Sequence, residues 1–410
     1  MNKDQPSRIP APFRIAGFRS QFAGDLVTSC AFEMESLILG WFILVQTESV
    51  LLLSLFGALQ SLGTLCAPLF GLGAERMGTR NLLALMRASY ACFALTLTAC
   101  AFAEVLTPVV VLVIAGLMGL VRPSDIAMRN LLVSDLMPPD RLFAALSISR
   151  MTQDIARVAG ALTGAGLFVA LGIGPAYVAV TLFYAASLLL TLRIPRPPAR
   201  PRGTILASPF ADLQAGFRHV RATPILMAAL LLAFLVNMTA YPISGGLLAY
   251  IARDVYHLDQ SGFATLSASF AIGGLGGSLT LALTRRVRRP ALWMIGSSLV
   301  WHTLLVGFVQ TESLPLGALT LVAAGFVQNF CMIPMSLVIL SNAGEGFRGR
   351  VMGMRMLAIY GLPLGLLAAG ALTSHISFAT TGTLYCLIGG LVTLAIGLRW
   401  REALRRDASA

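Results

Sequence analysis

The chain has 410 residues, 57% of them hydrophobic and only 12% charged, with a formal net charge of +12. A soluble protein of this length could not bury so much apolar surface, so the composition excludes a water-soluble globular domain and points to a polytopic membrane protein. The basic residues are spread over many short segments and make no single domain, which argues against a nucleic-acid binder and fits anionic lipid headgroups instead.

Twelve apolar stretches follow one another along the chain, each of about 20 residues or more, enough to cross a hydrocarbon core of about 30 Å as a helix. The first six are expected near 20–46, 49–73, 81–104, 107–134, 142–170 and 173–194. The second six are expected near 223–251, 258–284, 289–310, 314–342, 346–374 and 378–400. Between the two sets, Pro195, Pro197, Pro198, Pro201 and Pro209 are interleaved with arginines, the pattern of a linker with one short surface helix around Phe210–Arg221. The expected organisation is a basic N-terminal segment 1–19, a six-helix bundle 20–194, a basic Pro-rich linker 195–222, a second six-helix bundle 223–400 and a tail 401–410.

Arginine placement orients the chain. Arg8, Arg14 and Arg19 precede the first stretch, and the even-numbered connections carry Arg76 and Arg80, Arg141, the linker arginines, Arg285 to Arg289, and Arg348 and Arg350. The odd-numbered connections are short and nearly free of basic residues, so both termini are expected in the cytoplasm. Asp25, Glu33 and Glu35 inside the first stretch are unlike the apolar core of a cleavable leader, and none is expected.

Several chemistries are excluded. Lys3 is the single lysine, so no Walker-type phosphate loop exists. The six cysteines form no paired ligand set and the four histidines are scattered, so no enzyme, metal site or cofactor is expected.

Charge kept inside apolar stretches carries the functional signal. Such a residue costs about 2.5–3.5 kcal/mol at a helix centre and so faces a partner or a wet cavity. In the fourth stretch Arg122, Asp125 and Arg129 share one helical face, and in the fifth Arg150, Asp154 and Arg157 do the same. The two triads could pair across their helices as a structural or gating network, with Arg122, the deepest, as the candidate site for an anionic substrate group. Asp25, Glu33, Glu35 and Asp125 are the proton-coupling candidates, because burial penalises a charged carboxyl and so favours loading and release of a proton. Glu33 and Glu35 point to different sides of their helix. In the second half, Asn237, Tyr241, Gln328 and Asn329 are the polar substrate-binding candidates, and Pro242 and Pro334 can break their helices beside a cavity.

The second connection reads Gly71-Leu72-Gly73-Ala74-Glu75-Arg76-Met77-Gly78-Thr79-Arg80. It resembles the G-x-L-x-D-R-x-G-R-R signature of the major facilitator superfamily, departing at Gly73, Glu75 and Thr79. The resemblance implies a conformational latch at Gly71, Glu75, Arg76, Gly78 and Arg80. Leu132-Val133, Leu136, Pro138, Leu142 and Ala145, together with Phe347-Arg348-Gly349-Arg350-Val351-Met352-Gly353, resemble the enterobactin-exporter-like branch, and Arg348 and Arg350 join the gating candidates. Arg157, Gly160, Gly164 and Gly166 resemble the glycine-rich antiporter motif, although its proline is missing. The resemblance covers nearly the whole chain and implies an all-α membrane protein, two pseudo-symmetric six-helix bundles with alternating access around a central cavity. It further implies an exporter of a siderophore or drug-like metabolite, exchanging it for protons across a bacterial inner membrane, and a monomer is the default expectation. An importer, a lysophospholipid or lipid flippase, and a non-transporting scaffold are the rival readings.

Overall fold

The computed structural model describes residues 11–66, 70, 73–74, 76–195, 209–284, 289–344 and 347–406. They form helices α1 (Ala16–Thr47), α2 (Val50–Leu59), α3 (Thr79–Phe102), α4 (Pro108–Leu136), α5 (Pro139–Leu171) and α6 (Ile173–Leu192). The linker contributes α7 (Pro209–Ala222), followed by α8 (Pro224–Thr239), α9 (Gln260–Leu283), α10 (Pro290–Val309) and α11 (Leu314–Asn342). The chain closes with α12 (Arg348–Ala358), α13 (Gly361–His375), α14 (Phe378–Arg399) and the short α15 (Arg401–Arg406). Ten described segments are long and apolar enough to cross a membrane, and Val50–Thr64 and Ile155–Leu171 are shorter apolar helices. This is the all-helical, six-plus-six membrane fold the sequence leads one to expect.

Local chemistry sets the helix starts. Proline opens α4, α5, α8 and α10, where its missing N–H leaves no bond unmade. Side chains of Ser49, Thr107, Asp259 and Ser377 accept backbone N–H groups at the starts of α2, α4, α9 and α14.

Three expected helices differ from what forms. The stretch 49–73 gives α2 only to Leu59, followed by a 3-10 turn over Leu62–Cys66. The stretch 346–374 breaks at Ile359–Tyr360, because Pro363 cannot donate to the carbonyl four residues back and its ring crowds that carbonyl. Pro242 acts likewise on 223–251: regular α-helix ends at Thr239, and π-turns follow over Pro242–Gly246 and Ile251–Val255. Pro334 and Pro123, by contrast, sit inside α11 and α4, which run on through them.

The chain forms two compact units, Met1–Ile38 with Cys66–Gly203 and Leu39–Leu65 with Thr204–Ala410. The division falls within α1. In the first unit, Phe18, Val133, Met137 and Ala145 form a buried cluster, and Phe13 packs edge-on against Phe18 and Phe22. Gly160 and Gly164 let α5 lie directly on α1: an added Cβ would sit 2.7 Å from the Cys30 carbonyl oxygen at Gly160 and 2.9 Å from Met34 Cα at Gly164. In the second unit, Arg253 donates to the Leu44 carbonyl at 2.8 Å, Tyr360 donates to the Leu62 carbonyl at 2.8 Å, and Trp41 stacks on Phe263. These bonds tie the end of α1 and the α2 region to the C-terminal set. Gly273 and Gly277 of α9 meet backbone carbonyls of Val322 and Phe326 on α11.

Candidate functional site

The first unit holds a buried quartet of charges. Asp25 of α1 pairs directly with Arg87 of α3, and Asp125 of α4 pairs with Arg129 one turn along the same helix. Arg129 Nε lies 3.6 Å from Asp25 Oδ1 and joins the two pairs. All four side chains are buried, and two carboxylates balance two guanidinium groups. Further donors and acceptors flank the cluster. The Gln21 amide donates to both Asp25 carboxylate oxygens at 2.9 Å. Arg129 donates to Ser29 Oγ at 2.7 Å, and Arg87 donates to Thr191 Oγ1 and to the Ser187 carbonyl. Removing one member of such a buried pair strands its partner's charge, at a typical cost of about 3–5 kcal/mol.

Eight residues beyond Asp25, at the middle of α1, lies a more open set. Glu33 Oε1 stands 3.6 Å from Arg157 Nε of α5, and both side chains are about one-third exposed. Arg122, at the middle of α4, lies over the Phe32 ring at 4.3 Å and donates to Ser36 Oγ at 3.1 Å and to the Phe32 carbonyl at 3.3 Å. These partly exposed residues present two guanidinium groups and one carboxylate near the mid-depth of their helices. That arrangement can receive a small molecule with an anionic group and an apolar or aromatic body.

Glu35 faces the other way, as helix geometry requires. It is buried and accepts hydrogen bonds from Tyr184 Oη at 2.6 Å and Tyr177 Oη at 3.2 Å, both on α6. Among the described residues no cation stands within ion-pair distance of it, although Arg122 acts on it electrostatically. Tyr184, which donates to this carboxyl, packs ring to ring with Phe32 and Tyr90, and those two rings meet each other edge-on.

The turn before α3 carries a separate set of contacts. Thr79 donates to Asp135 Oδ2 at 2.9 Å, Arg80 donates to the Leu192 carbonyl at the end of α6, and Arg76 is exposed. Gly78 adopts φ +82°, a left-handed value that favours glycine at this sharp turn. Gly71, Glu75 and the side chains of Arg150, Asp154 and Arg348 lie outside the described residues. The cross-helix pairing described runs from Arg129 to Asp25 and from Arg157 to Glu33, so both helix triads reach to α1.

In the second unit the polar candidates divide. Asn237 donates to the Ala233 carbonyl and Asn329 to the Gly274 carbonyl, so both amides serve helix backbone. Gln328 donates to Tyr241 Oη, and the half-buried Tyr241 ring meets Trp301 edge-on at 5.1 Å. Arg350 lies over the Phe347 ring, which stacks on His219 of the linker helix.

The sequence reading missed Arg87, Tyr177 and Tyr184. Arg87 had a signal, being the single charge in the apolar run from Leu82 to Phe102. The two tyrosines had none, since aromatics are common in membrane helices.

A family model described as Major Facilitator Superfamily matches residues 22–363. No curated protein matches the chain significantly. Among solved structures, a bacterial homolog of the human lysosomal transporter Spinster, inward-facing and unoccupied, superposes with TM-score 0.73 at 16% identity, covering 96% of this chain and 99% of that one. The human organic anion transporter MFSD10 (TETRAN) gives 0.68 at 18% identity over 95% of this chain and 100% of that one. The D323A mutant of the nucleoside transporter NupG gives 0.71 at 13% identity over 94% and 99%. Likeness at these identities speaks for the fold alone.

Proposed function

Since the chain belongs to the major facilitator superfamily, and is thus a membrane transporter and not an enzyme, we propose that it is a secondary exporter of a small amphipathic molecule, driven by proton antiport. The motif resemblances favour a siderophore or drug-like metabolite as cargo and a bacterial inner membrane, with both termini in the cytoplasm, as location. One observation carries the reading: Arg122, Glu33 and Arg157 stand partly exposed at mid-helix depth, where carriers of this architecture bind substrate. Arg122 is assigned to an anionic group of the cargo and the Phe32 ring to its apolar body. The Glu33–Arg157 pair is the part a proton can open, because protonating Glu33 removes the charge that holds Arg157. Glu35, with its two tyrosine donors, is the second proton-binding candidate. The balanced quartet around Asp25 is assigned to holding α1, α3 and α4 together and to gating, rather than to carrying protons.

A second reading rests on the same residues. An anion that occupies Arg122 takes from Glu35 its nearest cation, which couples cargo and proton binding positively and favours import by symport. The test is transport of enterobactin by the full chain in proteoliposomes under imposed pH gradients, with pH-dye readout of proton movement. Proton movement opposite to the siderophore supports export by antiport, and movement in the same direction supports import. Transport indifferent to the gradient removes proton coupling.

A further inference from the structure

The second unit carries a surface groove of about 530 Å³ between α10 and α11 that the transport reading leaves unused. Its walls are Trp293 and Val300 of α10 and Phe326 and Phe330 of α11, and Trp293 stacks on Phe330 at 5.4 Å. Arg289 lies at one end, immediately before α10. It is exposed, and among the described residues it has no ion-pair partner. Gly296 forms part of the floor, and a Cβ added there would meet nothing within 4 Å.

The dimensions select an occupant. From Arg289 to Val300 the groove follows eleven residues of helix, about 16 Å. That is about half of a 30 Å hydrocarbon core, the depth of one leaflet. A cation at the mouth, an amphipathic tryptophan one turn inside and apolar, aromatic walls beyond match a phosphate, an interfacial belt and an acyl chain in that order. Arg285, Arg286 and Arg288 precede Arg289 in sequence and give the same connection a concentrated positive charge.

We propose that this groove is a binding site for an anionic phospholipid, with the phosphate on Arg289 and one acyl chain laid along Gly296 between Trp293 and Phe326. The site is independent of the cargo path and of the direction of transport. Arg289 supplies the headgroup preference. Gly296 supplies the room, since a side chain there would fill the notch without displacing protein atoms.

The test uses the full chain in vesicles of phosphatidylcholine and phosphatidylglycerol, with bromine on the acyl chains of one lipid at a time. Tryptophan quenching is read for the wild type and for Trp293→Phe, whose difference isolates Trp293. Half-quenching is expected at about a five-fold lower mole fraction of phosphatidylglycerol than of phosphatidylcholine, the factor that one basic side chain supplies near an anionic surface. Arg289→Gln is expected to bring the two curves together. Gly296→Leu is expected to lower quenching of Trp293 by both lipids, with an unchanged unfolding temperature. Equal quenching by the two headgroups in the wild type means ordinary annular lipid and overturns the proposal. A preference that survives Arg289→Gln overturns it as well, and so does undiminished quenching in a folded Gly296→Leu.

Discussion

Arg87 and Asp25 lie 62 residues apart in the chain and in direct ion-pair contact, both shut away from solvent. The pair ties α3 to α1, and Arg129 extends the tie to α4. Arg87→Ala and Asp25→Asn are each expected to lower stability by about 3–5 kcal/mol, because each leaves an uncompensated buried charge. The double variant Asp25→Asn/Arg87→Ala should lose less than the sum of the singles, since no charge remains stranded between these two positions. Thermal unfolding of the purified protein in one detergent measures all three. Additive losses would mean that the two side chains do not act on each other.

Much of this fold is written in the sequence at the scale of whole helices, because about 20 apolar residues between arginine-bearing turns have few alternatives in a bilayer. The breaks are less legible. Pro242 and Pro363 end regular helix, whereas Pro123 and Pro334 do not, and a proline alone does not disclose whether neighbouring helices will compensate. The charged site is legible by face but not by partner. Spacing places Arg122, Asp125 and Arg129 on one side of α4, yet only the rotation and depth of α1 give Arg129 to Asp25 and Arg122 to Ser36. Arg87 is visible as a charge in an apolar run, while its partner lies one helix pair away and leaves no local trace.

Gly160 is a close-approach position and Gly166, on the same helix, is not. A Cβ at Gly160 would lie 2.7 Å from the Cys30 carbonyl oxygen and 2.8 Å from Glu33 Cβ, while one at Gly166 meets nothing within 4 Å. Gly160→Ala is therefore expected to destabilise by about 1–3 kcal/mol and to displace α1 beneath Glu33. Gly166→Ala should be neutral or stabilising by up to about 1 kcal/mol, the ordinary gain of alanine over glycine within a helix. Unfolding midpoints of the two variants give the comparison, and equal effects would show that α5 does not rest on α1 through Gly160.

Asp259 caps α9 from outside the membrane-spanning segment. Its carboxyl is held below the usual carboxylate range by a hydrogen bond from the Ser261 hydroxyl first and the Gly262 N–H second. A group with a depressed folded-state value adds stability above its unfolded value near 3.8, and that contribution disappears as pH falls through the lower folded value. Asp259→Ala should thus cost about 1 kcal/mol at neutral pH and almost nothing well below pH 4. Amide exchange in the first turn of α9 is the readout. An effect of Asp259→Ala that is equally large at both ends of the pH range would separate it from the carboxylate.

Glu35 separates proton coupling from architecture. Gln has the same shape, and in Glu35→Gln its oxygen accepts from one of Tyr177 and Tyr184 while its NH2 donates to the other tyrosine oxygen, so the variant is expected to fold with an unfolding temperature within a few degrees of the wild type. Its carboxamide carries no exchangeable charge. If Glu35 is where the proton binds, Glu35→Gln loses accumulation of enterobactin against its gradient but keeps exchange of labelled for unlabelled siderophore at equal pH. Tyr184→Phe, which removes the 2.6 Å donor and keeps Tyr177, should weaken accumulation by about ten-fold or more and spare exchange, because a hydrogen bond to a charged group is worth about 1.5–3 kcal/mol. Parallel loss of accumulation and exchange in both variants would instead make Glu35 a packing element of the α1–α6 contact, and the coupling role would pass to Glu33 and its bond to Arg157.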